Sequence, residues 1–395
     1  MSESGDMKSA SGATGPGTAD DNAAGGTAAA APFGTEQSGA DDAEPKRRRR
    51  LRPTRRTWTI VFSSVLVVTF VLVGSFVKVP YVALGPGPTY DTLGDVDGEH
   101  VVSIDGERSY DTDGQLRMTT VSLNDDVTLF GALGLWVSGR YAVAPREEYF
   151  RPGQTDEEVR KENVAQFRSS QSNAEVAALR TLGYPVKVVA DQIVDDSPAS
   201  RVLEPGDQLV SVNGKSVSGM QDVTAAVENT RPGQRIDLTY RRGEQQPRTV
   251  QVELARHPEG GKQGFIGVQP ADRADVPFTV DISLEDVGGP SAGAMFALAI
   301  VERLEQENLV DGRHVAGTGE IDSQGNVGPI GGISFKVVAA KEDGATTFLV
   351  PERNCAEAAS AAPEGLELVR VGTLDDAVSA LRNLRDGKPV PTCEG

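Results

Sequence analysis

The stretch Gly288-Gly289-Pro290-Ser291-Ala292-Gly293 decides how this chain is read, together with Gly328-Pro329-Ile330-Gly331-Gly332-Ile333-Ser334-Phe335-Lys336 further on. The first puts a small-residue turn, a serine and the start of an apolar helix in a row. The second supplies a lysine just past another glycine turn, forty-five positions after the serine. A serine hydroxyl is a poor nucleophile until a neighbouring base takes its proton. The three histidines, His100, His257 and His314, sit in no comparable motif. Lys336 is therefore the candidate base for Ser291.

Gly288 and Gly289 permit a tight turn with exposed amides, and Pro290 suits a first helical turn, where no donor is needed. That would set Ser291 at a helix N-terminus, where unpaired N–H groups and the dipole favour an anion. A carbonyl attacked by Ser291 becomes an oxyanion in the same place. Lysine acts as a base only when neutral, and its ordinary pKa is about 10.4. Burial among Ile330, Ile333, Phe335 and Val337 would lower it. Thr318 is a candidate hydroxyl to orient the amine. Taken alone, the serine motif reads equally as a turn into a buried helix, and a lone lysine is usually a solvated charge. The second cluster shifts the balance towards chemistry.

Around these clusters the pattern is one of mixed strands and helices. Phe278–Leu284 reads as a strand, Ser291–Glu307 as a buried helix, Val315–Ile321 as a strand before a turn at Asp322–Gly325, and Leu374–Arg385 as a final helix. Such an order argues for an α/β or α+β domain. Upstream, Val101–Ile104 and Gln115–Val121 alternate as strands, and Thr155–Leu182 is helical. Residues 79–98 carry too much Gly and Pro for a long element and read as an extended lead-in.

Residues 186–255 form short β-runs around one helix at Asp222–Asn229, with Asn213-Gly214 as a strong hairpin signal. Ser197-Pro198-Ala199, Leu203–Asp207 and Val212–Gly214 resemble the stations of a PDZ domain. Such a domain takes an extended peptide as an added strand beside a helix. Val186–Val189 is the expected groove strand, and the usual Gly-Leu-Gly-Phe carboxylate loop is not present as such. Gly214-Lys215-Ser216 ends like a phosphate loop, but the glycine required five residues earlier is Leu209. No ATPase module is expected.

At the other end, residues 1–57 read as a disordered tail, Ala/Gly/Ser/Thr-rich and then basic at Lys46–Arg50. Residues 58–77 are an uncharged apolar run long enough to cross a bilayer as a helix of about 30 Å. The basic residues directly before it fit a cytoplasmic flank better than a nucleic-acid patch. A cleaved signal peptide competes, but the apolar core is long and Gly74–Pro80 offers no small-x-small site. A retained anchor with an extracytoplasmic remainder is favoured. Past residue 78 there are 29 basic against 49 acidic residues, a net charge of −20, which argues against nucleic acid as a partner. Cys355 and Cys393 are either a disulfide tying down the tail or two free thiols. No spacing suggests a metal, and no cofactor is expected.

Together Gly289–Gly293, Thr318–Ile321 and Pro329–Lys336 resemble, in order, the nucleophile turn, the Thr-Gly-Glu-Ile strand and the Pro-Ile-Gly-Gly-x-x-x-Lys turn of the Lon proteolytic domain family. The resemblance covers about 130 C-terminal residues. It implies Ser291 as nucleophile, Lys336 as general base and Thr318 as the lysine-orienting hydroxyl, with Gly289 and Pro290 shaping the turn. Gly288 stands where bacterial Lon commonly has an acidic residue, and Ser334 where it has a lysine. With an anchor, a PDZ unit and no ATPase, the whole chain is similar to PDZ-containing, Lon-like proteases of Gram-positive bacteria. The implied layout is a segment at 78–182 that opens the Lon-like fold, a PDZ domain at 183–257 and a proteolytic domain at 258–395, an α+β arrangement. In that light Gly114–Val121 and the helix around Gln171–Leu179 resemble the opening of the Lon fold, with the PDZ unit inserted into it. The implied function is ATP-independent, membrane-anchored peptide-bond hydrolysis, with peptide or protein substrates recruited through the PDZ groove. Ring formation, as homo-oligomers, is implied by resemblance alone. The alternative is a non-catalytic PDZ adaptor on a degenerate protease scaffold.

Overall fold

The computed structural model describes residues 54–393 apart from 97, 152 and 285–286. The expected N-terminal tail and its basic run lie almost wholly outside these residues. The first element is the helix α1 (Arg55–Phe76), the apolar run foreseen as a span, with a mean hydropathy of 2.3 over its most apolar window. Its side chains are exposed almost throughout, Gly74 being its one buried residue.

The chain then makes β1 (Tyr81–Asp91), where a lead-in without a long element was expected. Two prolines are tolerated for a local reason. The ladder to one neighbour breaks register between Pro86 and Thr89, and pairing to the other ends at Leu84. The missing donors of Pro86 and Pro88 therefore cost little. Gly87 is required by close approach, because a Cβ there would lie 2.4 Å from Thr120 Oγ1. Next come β2 (Val102–Asp105), β3 (Gln115–Asn124), α2 (Leu129–Val137) and β4 (Ala142–Pro145). The long α3 (Asp156–Thr181) starts at a capping box, in which Thr155 and Glu158 satisfy each other's backbone amides.

A second module follows: β5 (Val186–Ile193), β6 (Gln208–Val212), β7 (Lys215–Ser216), α4 (Met220–Glu228), β8 (Arg235–Arg241), β9 (Arg248–Glu253) and β10 (Val268–Ala274). Asn213 and Gly214 both have positive φ, 51° and 75°, and join β6 to β7 as the hairpin their sequence announces. The main path of the sheet runs β9-β8-β6-β5-β10 around its own core of Val188, Leu209, Ile236, Leu238 and Leu254. One expectation fails here. Val186–Val189 lies in β5, which is paired with β6 on one side and β10 on the other, so it has no edge to offer a peptide. The outer strand, packed beside α4, is β10. The chain after β9 returns to cover β5, a non-local pairing invisible in the local pattern.

The remaining elements are β11 (Thr279–Ile282), α5 (Gly293–Leu304), β12 (His314–Gly317), β13 (Glu320–Ile321), β14 (Val327–Gly328), α6 (Ile333–Glu342), β15 (Thr347–Pro351), α7 (Cys355–Ala361), β16 (Glu367–Val371) and α8 (Leu374–Arg385). Among the described residues, six strands form one sheet in the order β16-β15-β12-β3-β1-β4. β12 lies parallel to β3, and this pairing joins the segments on either side of the second module. One core does the same. Leu116, Met118, Phe167 and Ala178 pack with Met295, Phe296, Leu298 and Ile300 of α5, and the rings of Phe167 and Phe296 meet edge-to-face at 5.7 Å. Fully burying a phenyl ring contributes up to about 3 kcal/mol, so α5 is fixed by residues more than a hundred positions upstream. Cys355 and Cys393 are disulfide-bonded, with Cα atoms 5.0 Å apart, and tie the tail to α7.

Candidate active site

The fold brings Ser291, Thr318 and Lys336 into contact. Lys336 Nζ lies 2.7 Å from Ser291 Oγ and 2.8 Å from Thr318 Oγ1. Thr318 in turn donates to the Ser291 carbonyl at 2.9 Å. Three elements build this contact: the turn before α5, the segment after β12, and the first turn of α6. Lys336 and Thr318 are 2% and 1% exposed, while Ser291 is half-buried at the floor of a cavity.

Ser291 precedes α5 rather than opening it. The N-cap is Ala292, the first helical residue is Gly293, and Pro290 lies before the helix rather than in its first turn. The reason is a competing set of backbone bonds. Gly319 N–H donates to Ser291 O at 2.9 Å, and Ala294 N–H to Gly319 O at 3.0 Å. These bonds pin the serine turn to the Thr318 strand instead of winding it into the helix. Gly289 has φ +86°, the left-handed region where a side chain is strained. Gly293 has no room for one, since a Cβ would lie 2.7 Å from Ser170 Oγ and 2.8 Å from Ile321 Cγ2.

Helix α3 braces the same turn from outside. Ser170 Oγ donates to Pro290 O at 3.0 Å, and Gly289 N–H donates to Asn163 O at 3.3 Å. Neither residue carries a sequence signal, because each acts through one bond across more than a hundred positions.

The lysine environment is apolar on the helix side, with Ile333 and Val337 fully buried and Ile330 nearly so. Burial pushes the Lys336 ammonium down to about 7, partly opposed by the Glu320 carboxylate. Half-neutral at that pH, the amine can accept the Ser291 proton across the same 2.7 Å.

The cavity above the pair measures about 420 Å³. Its walls include Pro88 and Tyr90 of β1, Met118, Thr120 and Val121 of β3, and Glu320 of β13. Much of that wall was missed in the sequence, and the alternation through Gln115–Val121 was its only signal. Among the described residues, no group of His, Cys, Asp or Glu gathers in a way that could hold a metal ion.

Two stretches of the chain are similar to known families. Residues 283–382 match the Lon protease (S16) C-terminal proteolytic domain, and residues 160–254 match the PDZ domain. The Lon protease of Methylocella silvestris is 32% identical over 214 residues, 52% of this chain and 25% of the relative. That of Lachnoclostridium phytofermentans is 27% identical over 226 residues, 53% of this chain and 28% of the relative. Lon protease 1 of Herpetosiphon aurantiacus is 41% identical over 93 residues, 23% of this chain and 11% of the relative. The chain thus spans 28% or less of the length of these relatives. The fold is a mixed α and β one, with Lon-type and PDZ domains and one N-terminal apolar helix.

Proposed function

We propose that the chain is a serine endopeptidase with a Ser291–Lys336 dyad, anchored by α1 with its catalytic part outside the cytoplasm. The observation that carries this reading is the 2.7 Å contact between a half-buried serine hydroxyl and a lysine amine that is 2% exposed. In the reaction, neutral Lys336 takes the Ser291 proton as Oγ attacks the scissile carbonyl. The resulting ammonium gives that proton to the leaving amine, and an acyl-enzyme remains. Water then attacks the acyl carbonyl as it loses a proton to Lys336, and the ammonium returns that proton to Ser291 Oγ as the acyl–oxygen bond breaks and the acid leaves. Thr318 orients the amine, and the amides of Ser291 and Ala292, at the positive end of α5, are the donors at hand for the oxyanion.

The reaction is taken to need no ATP. The Gly214-Lys215-Ser216 sequence lies in the β6–β7 hairpin, whereas a phosphate loop opens a helix. Substrates are then flexible or loosely folded segments, recruited through the PDZ-type module. The basic residues before α1 support the topology.

A serine-directed covalent probe tests the assignment. It labels the wild-type chain and spares Ser291→Ala. Absence of labelling on the wild type, or equal labelling of both, removes the enzyme reading in favour of a peptide-binding adaptor.

A further inference from the structure

Helix α2, Leu129–Val137, is LFGALGLWV, nine residues without one polar side chain. Ala132 is its only buried residue. Leu129, Leu133, Trp136 and Val137 are 43%, 51%, 64% and 70% exposed. Their spacing of i, i+4, i+7 and i+8 sets them along one helix face. At nine residues α2 is about 14 Å long, too short to cross a bilayer. Neither the dyad nor the PDZ-type sheet uses this face.

Its neighbours tell what covers it. Phe130 packs edge-to-face on Phe70 of α1, ring centroids 5.6 Å apart. It also explains why Gly74 is the one buried residue of α1, since a Cβ there would lie 2.5 Å from the Phe130 ring. The chain leaving α1 is bonded to the chain entering α2. Lys78 bridges Thr128, Val79 N–H donates to Val127 O at 3.0 Å, and Lys78 pairs with Asp126. The start of α2 is therefore level with the end of α1. Gly74 and Phe70 stand two and six residues before Phe76, roughly 3 and 9 Å back along the helix axis. A bilayer that receives α1 must meet α2 at the depth of those last turns. That is the zone in which interfacial helices lie, about 5–10 Å into the headgroup and acyl boundary.

We propose that α2 is a second membrane attachment, a helix lying in the outer interface of the bilayer that α1 spans, with Leu129, Leu133, Trp136 and Val137 in the acyl boundary. This rests on the reading of α1 as a span. With no charge on α2, the attachment is hydrophobic and insensitive to salt. It also sets the height of the active site. Strand β3 runs from the cavity wall at Val121 to Asn124, and α2 is capped at Thr128. Seven residues reach at most roughly 23 Å, which keeps the cavity within that distance of the start of α2.

The chain has two tryptophans, Trp58 in α1 and Trp136 in α2, and each can be read alone. Full-length Trp58→Phe and Trp136→Phe are reconstituted in phosphatidylcholine vesicles with and without brominated acyl chains. The expected result is loss of most Trp136 emission with bromines placed near the headgroup, less with deep bromines, and no change with added salt. Quenching of Trp58 without quenching of Trp136 overturns the proposal and leaves the span standing. A blue-shifted but unquenched Trp136 overturns it in favour of a second copy covering the face. Absence of quenching at both positions removes the span itself and the proposal with it.

Discussion

The Lon-type core and the PDZ-type module hold their buried charged groups in different ways. In the core, a lysine and a threonine 18 residues apart are held almost wholly out of water. In the PDZ-type module, around an apolar centre, the buried carboxylates of Asp207 and Asp272 are met by arginines, Arg242 at 2.8 Å and Arg180 at 3.2 Å. A buried amine needs walls from distant parts of the chain, because no local element excludes water on all sides. A buried carboxylate matched by an arginine needs no such enclosure. The first arrangement suits chemistry and the second suits a fixed scaffold.

The sharpest way to break this contrast is to remove the buried pair. Ser291→Ala or Lys336→Met should each lower peptidase activity by about 10⁴-fold or more, on small peptides and on proteins alike. The lysine variant should also raise the melting temperature. The Lys336 ammonium titrates at about 7 in the fold and at about 10.4 in the unfolded chain. Between those values the unfolded chain binds more protons, so the lysine destabilises the fold at pH 7, and less so as pH rises. A lower melting temperature for Lys336→Met at pH 7 would mean that the amine is not strained by burial.

Where the two modules meet, Asp272 of β10 is the shared group. Its buried carboxylate accepts from Ser323 Oγ at 2.5 Å, Gln324 Nε2 at 3.2 Å, Arg180 Nη2 at 3.2 Å and Met220 N–H at 2.9 Å. Asp272→Ala leaves those donors without an acceptor and should cost about 3 kcal/mol. Calorimetry should show the wild-type transition splitting into two, and a single unsplit transition would show that the modules do not couple through this residue. A smaller effect is expected at Gly267, which has φ +81° and would bring a Cβ to 2.1 Å from Ser197 Cβ. Gly267→Ala should destabilise the PDZ-type module by roughly 2 kcal/mol. It should raise KM for protein substrates while leaving kcat for a short peptide unchanged; a fall in kcat for the peptide would erase the division of labour.

The same contrast explains what could be read in the sequence. Ser291, Thr318 and Lys336 stand in dense local motifs, as do the Asn213-Gly214 hairpin and the Leu374–Arg385 helix, and each was legible. The other half of the site was not. Pro86 and Pro88 argue against a strand on local grounds, and β1 forms because β3 and β4 pair with it around those prolines. Asn163 and Ser170 support the serine turn through single long-range bonds. Helix α2 has too few residues to stand out by periodicity. The failed expectation for Val186–Val189 has the same origin: β10 covers β5 only because the chain returns after β9.

The central claim is that Lys336 serves as a base because burial keeps it neutral near physiological pH. The pH dependence of kcat/KM on a short peptide tests it directly. The rate should rise with an apparent pKa of about 7 and level off above it, since the neutral amine is the active form. An inflection at about 10, the value of a solvated lysine, or a rate that does not change with pH across this range, would contradict it.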